Sequence, residues 1–473
     1  MALLTLLACT AAPPVDPAAP EAPDTTPRLH ADGTRIVDPD GNPVVLRGVN
    51  LGGWMFHETW ITNVDYPTWG RFYVTAEAAG YAAAATTALQ ATGQTDDLDT
   101  LEAALAAEIG ADAAAAVRAD TEARPSIYDD SDLPLRQLLE TRFGADGRDA
   151  LLDTFQAAWI TESDIEQIAG YGFNLVRVPM GYRSLVTNSD LEPLTALVWN
   201  EPAFDRIDAL LDACERHGVY AILDIQESPG GHNGYSGEAT LYTDPEKQLL
   251  TVALWEELSR RYGERDHVAA YSLLAEPMSA PSIDASMAMY DQLHDAIRAQ
   301  GDDHLLVVHD GFFGMWELPP AADMGWENVV YSTHLFEWGA SAESDYEALI
   351  QLYDVGFGNA QATQDVPYFI GSFSTMRDEA WAYASAGSLV DWYEDRGWSW
   401  SWWTWKRIDD PLAARIWGER TGWGVLRDPW DGFARPDVWL DDRATLEASL
   451  AAYGGRMAPN EAVVAAIAPF ARD

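Results

Sequence analysis

The residues that could do chemistry stand at or just beyond the ends of short apolar runs. His57 and Glu58 follow the first run, and Arg177 lies inside the second. Asp224 and Gln226 close the third, and Glu276 the fourth. His334 sits in the sixth with Glu337 just after it, Ser372 ends the seventh, and Trp403, Trp405 and Lys406 belong to the eighth. One charged group at a strand end is commonly structural, whereas several converging on one face make a site. Glu227 and Glu337 are the further carboxylates near these ends. Ser372 as a nucleophile would need a base and an oxyanion environment, and His334 is the one obvious base on this face.

These side chains need a frame that gathers strand ends. Eight apolar runs occur in order: 44–52, 173–180, 220–226, 268–277, 305–311, 328–336, 367–374 and 398–406. Runs that are apolar throughout suit parallel strands buried on both faces. Amphipathic helical patterns such as 201–217 and 245–262 lie between them. Eight such units predict an α/β fold, a (β/α)8 TIM barrel whose functional residues cluster at the C-terminal strand ends. Ahead of the first strand, Ala31-Asp32-Gly33-Thr34 and Asp38-Pro39-Asp40-Gly41-Asn42 are turn signals, predicting a hairpin that plugs the barrel bottom. The Ala-rich, acidic stretch from about 71 to 124 reads as a helical insertion between strands one and two. It is read chiefly as solvated decoration.

Composition narrows the function classes. The formal charge is -46 and the pI about 4.2, which excludes nucleic acid and argues against anionic membrane surfaces. Lysine occurs only at Lys247 and Lys406, and such an acidic surface suits a salty medium. With 20 Trp and 19 Tyr, most rings must fill a core, while some are expected on a stacking surface. Two cysteines, Cys9 and Cys214, provide no disulfide framework. Residues 1–9 end in Leu-Leu-Ala-Cys, the pattern of a bacterial lipoprotein signal with Cys9 as the lipidated residue. Residues 10–27 read as a disordered linker, leaving 28–473 as one domain. The expected location is secreted or at the cell envelope, with membrane association only through that lipid anchor.

A family resemblance rests on several segments. Arg47-Gly48-Val49-Asn50-Leu51-Gly52-Gly53-Trp54 and Glu58-Thr59-Trp60-Ile61-Thr62 resemble the opening of glycoside hydrolase family 5, most nearly its exo-β-1,3-glucanase branch. Trp159 to Ile165, Gly172 to Tyr182, Asn233-Gly234-Tyr235, Leu273 to Pro277, Thr333-His334 and Trp403 to Lys406 continue the match in order. The resemblance implies carbohydrate, a β-glucan or related glycoside, as the partner. No cofactor and no metal are implied. It also implies retaining hydrolysis by two glutamates on strands four and seven, whose carboxyl groups stand about 5–5.5 Å apart.

Glu276 matches the acid/base. The nucleophile position falls in Gly371-Ser372-Phe373-Ser374, where the family has glutamate. Glu58, Arg177, Gln226, Asn233, Tyr235, His334, Phe336 and Trp403 are the implied sugar-binding positions. Several of these depart from the family as well. Ala275 replaces an asparagine, Gln226 a histidine and Phe336 a tyrosine, while Ser236-Gly237 stands where an Asp-Asn pair is usual. The sequence therefore predicts a glycan-directed cleft with a dismantled nucleophile shell. Three readings stay open: a hydrolase of altered mechanism, a glycan-binding pseudoenzyme, or an inverting enzyme pairing Glu276 with Glu227 or Glu337 at about 6.5–9.5 Å.

Overall fold

The computed structural model describes residues 26–189, 193–418, 424–428 and 435–471. The signal read at 1–9, Cys9 within it, and the linker as far as residue 25 lie outside the described residues. Thr26 is buried and the Pro27 carbonyl accepts a hydrogen bond from the Tyr220 hydroxyl at 3.0 Å.

A hairpin comes first, β1 (His30–Asp32) pairing antiparallel with β2 (Arg35–Val37). Eight parallel strands then close into a barrel: β3 (Arg47–Asn50), β4 (Leu175–Gly181), β5 (Tyr220–Glu227), β6 (Val268–Ser272), β7 (Leu305–His309), β8 (Val329–Leu335), β9 (Tyr368–Phe373) and β10 (Ser399–Trp402). All eight predicted runs are strands, and β10 closes the ring on β3 through Trp400 opposite Arg47 and Trp402 opposite Val49. Almost every residue of these strands is buried, as the unbroken apolar runs required. Gly48 is needed where β3 meets β4, because a Cβ there would lie 2.1 Å from the Leu175 carbonyl oxygen.

The hairpin covers the N-terminal mouth as predicted. Leu29 and Ile36 pack with Leu46, Leu175, Ile222 and Leu305 in an apolar cluster at that end. The larger core lies between the barrel and its helices. Helix α1 (Glu162–Tyr171) starts on a capping box of Thr161 and Asp164. Helix α2 (Glu201–Arg216) buries Phe204, Ile207, Leu211 and Cys214 on one face.

The insertion is four helices, Thr68–Ala78, Ala82–Thr92, Leu98–Ile109 and Ala111–Glu122. It has its own core of Trp69, Phe72, Leu89, Leu101 and Leu105, joined by Leu412 and Ile416 from beyond β10. Its return segment is anchored to the barrel: Thr59 Oγ1 donates to the Ile127 carbonyl at 2.7 Å, and Asp65 accepts from the Ile127 amide at 2.9 Å. The insertion is thus a packed cap that directs residues 123–132 toward the barrel top. A small sheet of Lys406–Arg407, Leu426–Arg427 and Ala458–Pro459 also follows the barrel. Its two-residue strands carry no periodicity that a sequence could reveal.

Candidate active site

The C-terminal ends of the barrel strands surround a cleft of about 690 Å³. Glu58, Arg177, Gln226, Tyr235, Glu276, His334, Phe336, Glu337, Ser372 and Trp403 all line it, so most residues singled out from sequence converge there.

Glu276 stands just past β6 with a backbone φ of 52°, in the left-handed region that a non-glycine residue enters at a cost. His334 Nδ1 lies 2.5 Å from one carboxylate oxygen, and the Tyr235 hydroxyl donates to the other. Burial alone would raise this carboxyl, but His334, the Tyr235 hydroxyl and the Arg177 charge outweigh it and hold Glu276 below the ordinary glutamate range. Burial in turn lowers His334 despite the adjacent carboxylate. At neutral pH we therefore assign a neutral imidazole donating its Nδ1–H to an ionised Glu276.

Arg177 forms the floor. Its guanidinium pairs with Asp224 at 2.8 Å, donates to Asn50 Oδ1 at 2.8 Å and reaches Gln226 Oε1 at 3.4 Å. Asn50 also donates to the Ser401 and Trp402 carbonyls, tying β3 to β10 beneath the site. Burial drives Glu58 well above its ordinary range, with the Asp130 and Glu276 charges adding to it. Both effects favour its protonated, hydrogen-bond-donating form. Trp60 and Trp403 stand beside it with ring centroids 6.3 Å apart.

Ser372 is buried, lines the cleft and lies in register with His334 across a bulge between β8 and β9. Its hydroxyl has no hydrogen-bond partner among the described residues.

A family model, cellulase (glycosyl hydrolase family 5), matches residues 143–408, more than half of the sequence. The chain belongs to glycosyl hydrolase family 5. A β-xylosidase of Phanerodontia chrysosporium is 26% identical over 313 residues, covering 65% of this chain and 51% of that protein. Glucan 1,3-beta-glucosidase 2 of Saccharomyces cerevisiae is 29% identical over 223 residues, 42% of this chain and 39% of that protein. The chain thus spans about half or less of the length of these relatives. The solved structure of an endogalactoceramidase shares the fold with a TM-score of 0.53 at 17% identity, over 92% of this chain and 86% of that one.

Within this family 5 barrel some expected positions fall elsewhere. Glu227 is not in the cleft: it is fully buried and paired with Arg183 on the other face of β5. Side chains alternate along a strand, so once Asp224 and Gln226 face inward, Glu227 must face out. That removes it as a catalytic base. Asn233 does not line the cleft either. Its amide donates to the Gln226 carbonyl at 2.7 Å and its oxygen accepts from the Tyr235 amide at 3.2 Å, so it positions Tyr235. His57 stacks on Phe155 at 4.0 Å beneath the site, and Lys406 pairs with Asp164 at 2.7 Å. Both are structural.

Sequence reasoning missed Asp130, which the return segment of the insertion carries to the cleft wall. It also missed the apolar wall of Met278, Phe312, Trp338, Leu352 and Met376.

Proposed function

We propose that this family 5 barrel binds a β-linked glucan or related glycoside in its cleft and does not perform ordinary retaining hydrolysis. The observation that carries this reading is Ser372, a partnerless hydroxyl at the place where the family resemblance calls for a nucleophilic carboxylate. Retention needs a second carboxyl about 5–5.5 Å from the acid/base, and a serine supplies neither the attack nor the negative charge that an oxocarbenium-like transition state requires.

The state of Glu276 supports the same reading. In a retaining pair the neighbouring carboxylate raises the acid, keeping it protonated for the leaving group. Here the acid is depressed instead and stays ionised at neutral pH. Binding has what it needs: the Trp60 and Trp403 rings, a donor at Glu58 and acceptors at Glu276 and Gln226. The names of the relatives, a glucan 1,3-beta-glucosidase and a β-xylosidase, and the resemblance to the exo-β-1,3-glucanase branch favour a β-glycoside as ligand. The Leu-Leu-Ala-Cys pattern at Cys9 supports display at the cell envelope on a lipid anchor, which labelling of wild type against Cys9→Ser with a fatty acid tests.

A second reading is inverting hydrolysis with Glu276 as acid. It draws support from Glu337, which lines the same cleft, and it requires a pH low enough to protonate Glu276. The purified protein, incubated with laminarin and aryl β-glucosides and followed by NMR, separates these readings. Binding without new reducing ends supports the first, α-product supports the second, and β-product overturns both.

A further inference from the structure

The acidic groups of the cleft are unequally occupied. Five of its lining residues are acidic and one, Arg177, carries a permanent positive charge, which is already paired with Asp224 at 2.8 Å. Glu276 is held by His334 and Tyr235. Asp345 accepts the Ser341 and Ala342 amides at 2.8 and 3.1 Å ahead of the helix Glu343–Gln364. Glu337 accepts the Gly339 amide at 3.3 Å. Glu58 and Asp130 are left. Glu58 is 4% exposed, lines the cleft, and its Oε2 has no hydrogen-bond partner among the described residues. A buried polar atom facing a cleft in this way is satisfied by what enters the cleft.

Asp130 is brought to Glu58 by the insertion and fixed there on both sides. The Asp129 carbonyl accepts from the Thr59 amide at 3.2 Å, and the Asp129 amide donates to Thr59 Oγ1 at 2.7 Å. Thr59 follows Glu58 in the chain, so the two segments lie side by side. Beyond Asp130, the Ser131 amide donates to the Asp129 carboxylate at 3.0 Å, and Asp132 pairs with buried Arg136. Asp130 itself is exposed at the cleft wall, and the charges acting on it are the carboxylates of Asp129 and Glu276, with no cation among them. On Glu58 the Asp130 charge acts more strongly than that of Arg177. Glu58, Asp130 and Glu276 therefore form one group of mutually repelling carboxyls, and a cation entering among them removes the repulsion. The Trp60 and Trp403 rings beside Glu58 offer flat faces that stack a sugar and attract a cation.

We propose that the cleft takes a β-linked oligosaccharide of unacetylated amino sugars, with one ammonium group held between Glu58 and Asp130. This rests on the glycoside-binding reading above and names the ligand class within it. An ammonium group donates three hydrogen bonds, enough to satisfy Glu58 Oε2 and still reach Asp130. Acetylation removes the charge, and a neutral glucan leaves the carboxyl repulsion in place. The net charge of -46 on the chain draws a cationic saccharide toward the site.

The test is calorimetric titration of wild type and Asp130→Asn at about pH 6, where an aliphatic amine is charged. The ligands are the β-1,4-linked glucosamine tetramer, its N-acetylated counterpart, cellotetraose, laminaritetraose and spermidine. The glucosamine tetramer should bind at least about tenfold tighter than either neutral glucan, and the acetylated tetramer no tighter than they do. Raising the salt from about 0.05 to about 0.5 M should shrink that advantage without weakening the neutral glucans. Asp130→Asn should cut the advantage about fivefold. Equal affinity for charged and neutral tetramers overturns this inference alone. An advantage untouched by Asp130→Asn overturns the place given to the ammonium group. No binding of any sugar overturns the glycoside-binding reading itself. Spermidine binding as tightly as the glucosamine tetramer overturns the proposal in favour of an unspecific acidic surface.

Discussion

Replacing Ser372 by glutamate would add a carboxylate to the cleft that Glu276 lines, at the place where the family resemblance expects one. Ser372 projects into the cleft, and Arg177 on the floor can receive a negative charge. Two carboxylates about 5.5 Å apart repel by about 3 kcal/mol at an effective dielectric constant of about 20. That repulsion opposes the depression of Glu276 and favours the protonated form that a leaving group needs. The same 3 kcal/mol, expressed in the barrier, is about 100-fold in rate. Hydrolysis of 4-nitrophenyl β-glucoside by Ser372→Glu should therefore exceed wild type by at least about 100-fold, with β-anomer appearing first in NMR. Adding Ala275→Asn and Phe336→Tyr, two further departures from the family pattern, should raise it again. The reasoning is refuted if Ser372→Glu keeps its melting temperature and ligand affinity yet gains nothing, or if wild type already releases β-product at a comparable rate.

Other perturbations test the surrounding structure. Burial, then the Arg136 charge, pulls His57 down to about 3, and burial pulls His232 down to about 4. Each is neutral in the fold, so its stabilisation is complete above the unfolded value of about 6.5 and is lost as pH falls toward the folded value. Together they should make unfolding free energy fall by about 3 kcal/mol per pH unit between about pH 6 and 4, read from urea melts in high salt to screen the net charge; His57→Gln should remove about half of that slope. An unchanged slope in the variant would contradict the assignment. Glu227→Gln removes the carboxylate charge nearest buried Arg183, leaving Glu238 at 3.8 Å, and should cost about 3 kcal/mol of stability with ligand affinity intact. Loss of affinity or turnover without loss of stability would return Glu227 to the site. Gly48→Ala forces a methyl against the Leu175 carbonyl and should lower the melting temperature or prevent folding. A variant as stable as wild type would show that the first strand is not seated as described.

The barrel was legible because strands buried on both faces cannot hide polar residues, and runs such as 220–226 and 367–374 have no other use. The site was legible where one residue projects from one strand end, as with Arg177, Glu276 and His334. Glu227 was misplaced although the signal was present, since period-two alternation past Gln226 turns it outward. Asp130 was not legible at all. It lies in an aperiodic segment whose path is set by distant contacts, those of Thr59 and Asp65 with Ile127. The apolar wall was hidden for a related reason. Met278, Phe312 and Trp338 sit in three separate loops, and Leu352 reads in sequence as one more helix residue. Only ring closure brings them to one wall. The insertion, expected as decoration, has a core because Trp69, Phe72, Leu89 and Leu105 find one another across four helices.

The central claim is that the cleft holds a β-glycoside but lacks a retaining pair. Its most direct test is NMR of laminari-oligosaccharides with stoichiometric wild-type protein at neutral pH. The account predicts ligand resonances broadened or shifted by binding, weakened by Trp403→Ala, with no new anomeric signal over days. Release of β-anomer by wild type, abolished in Glu276→Gln, would contradict it.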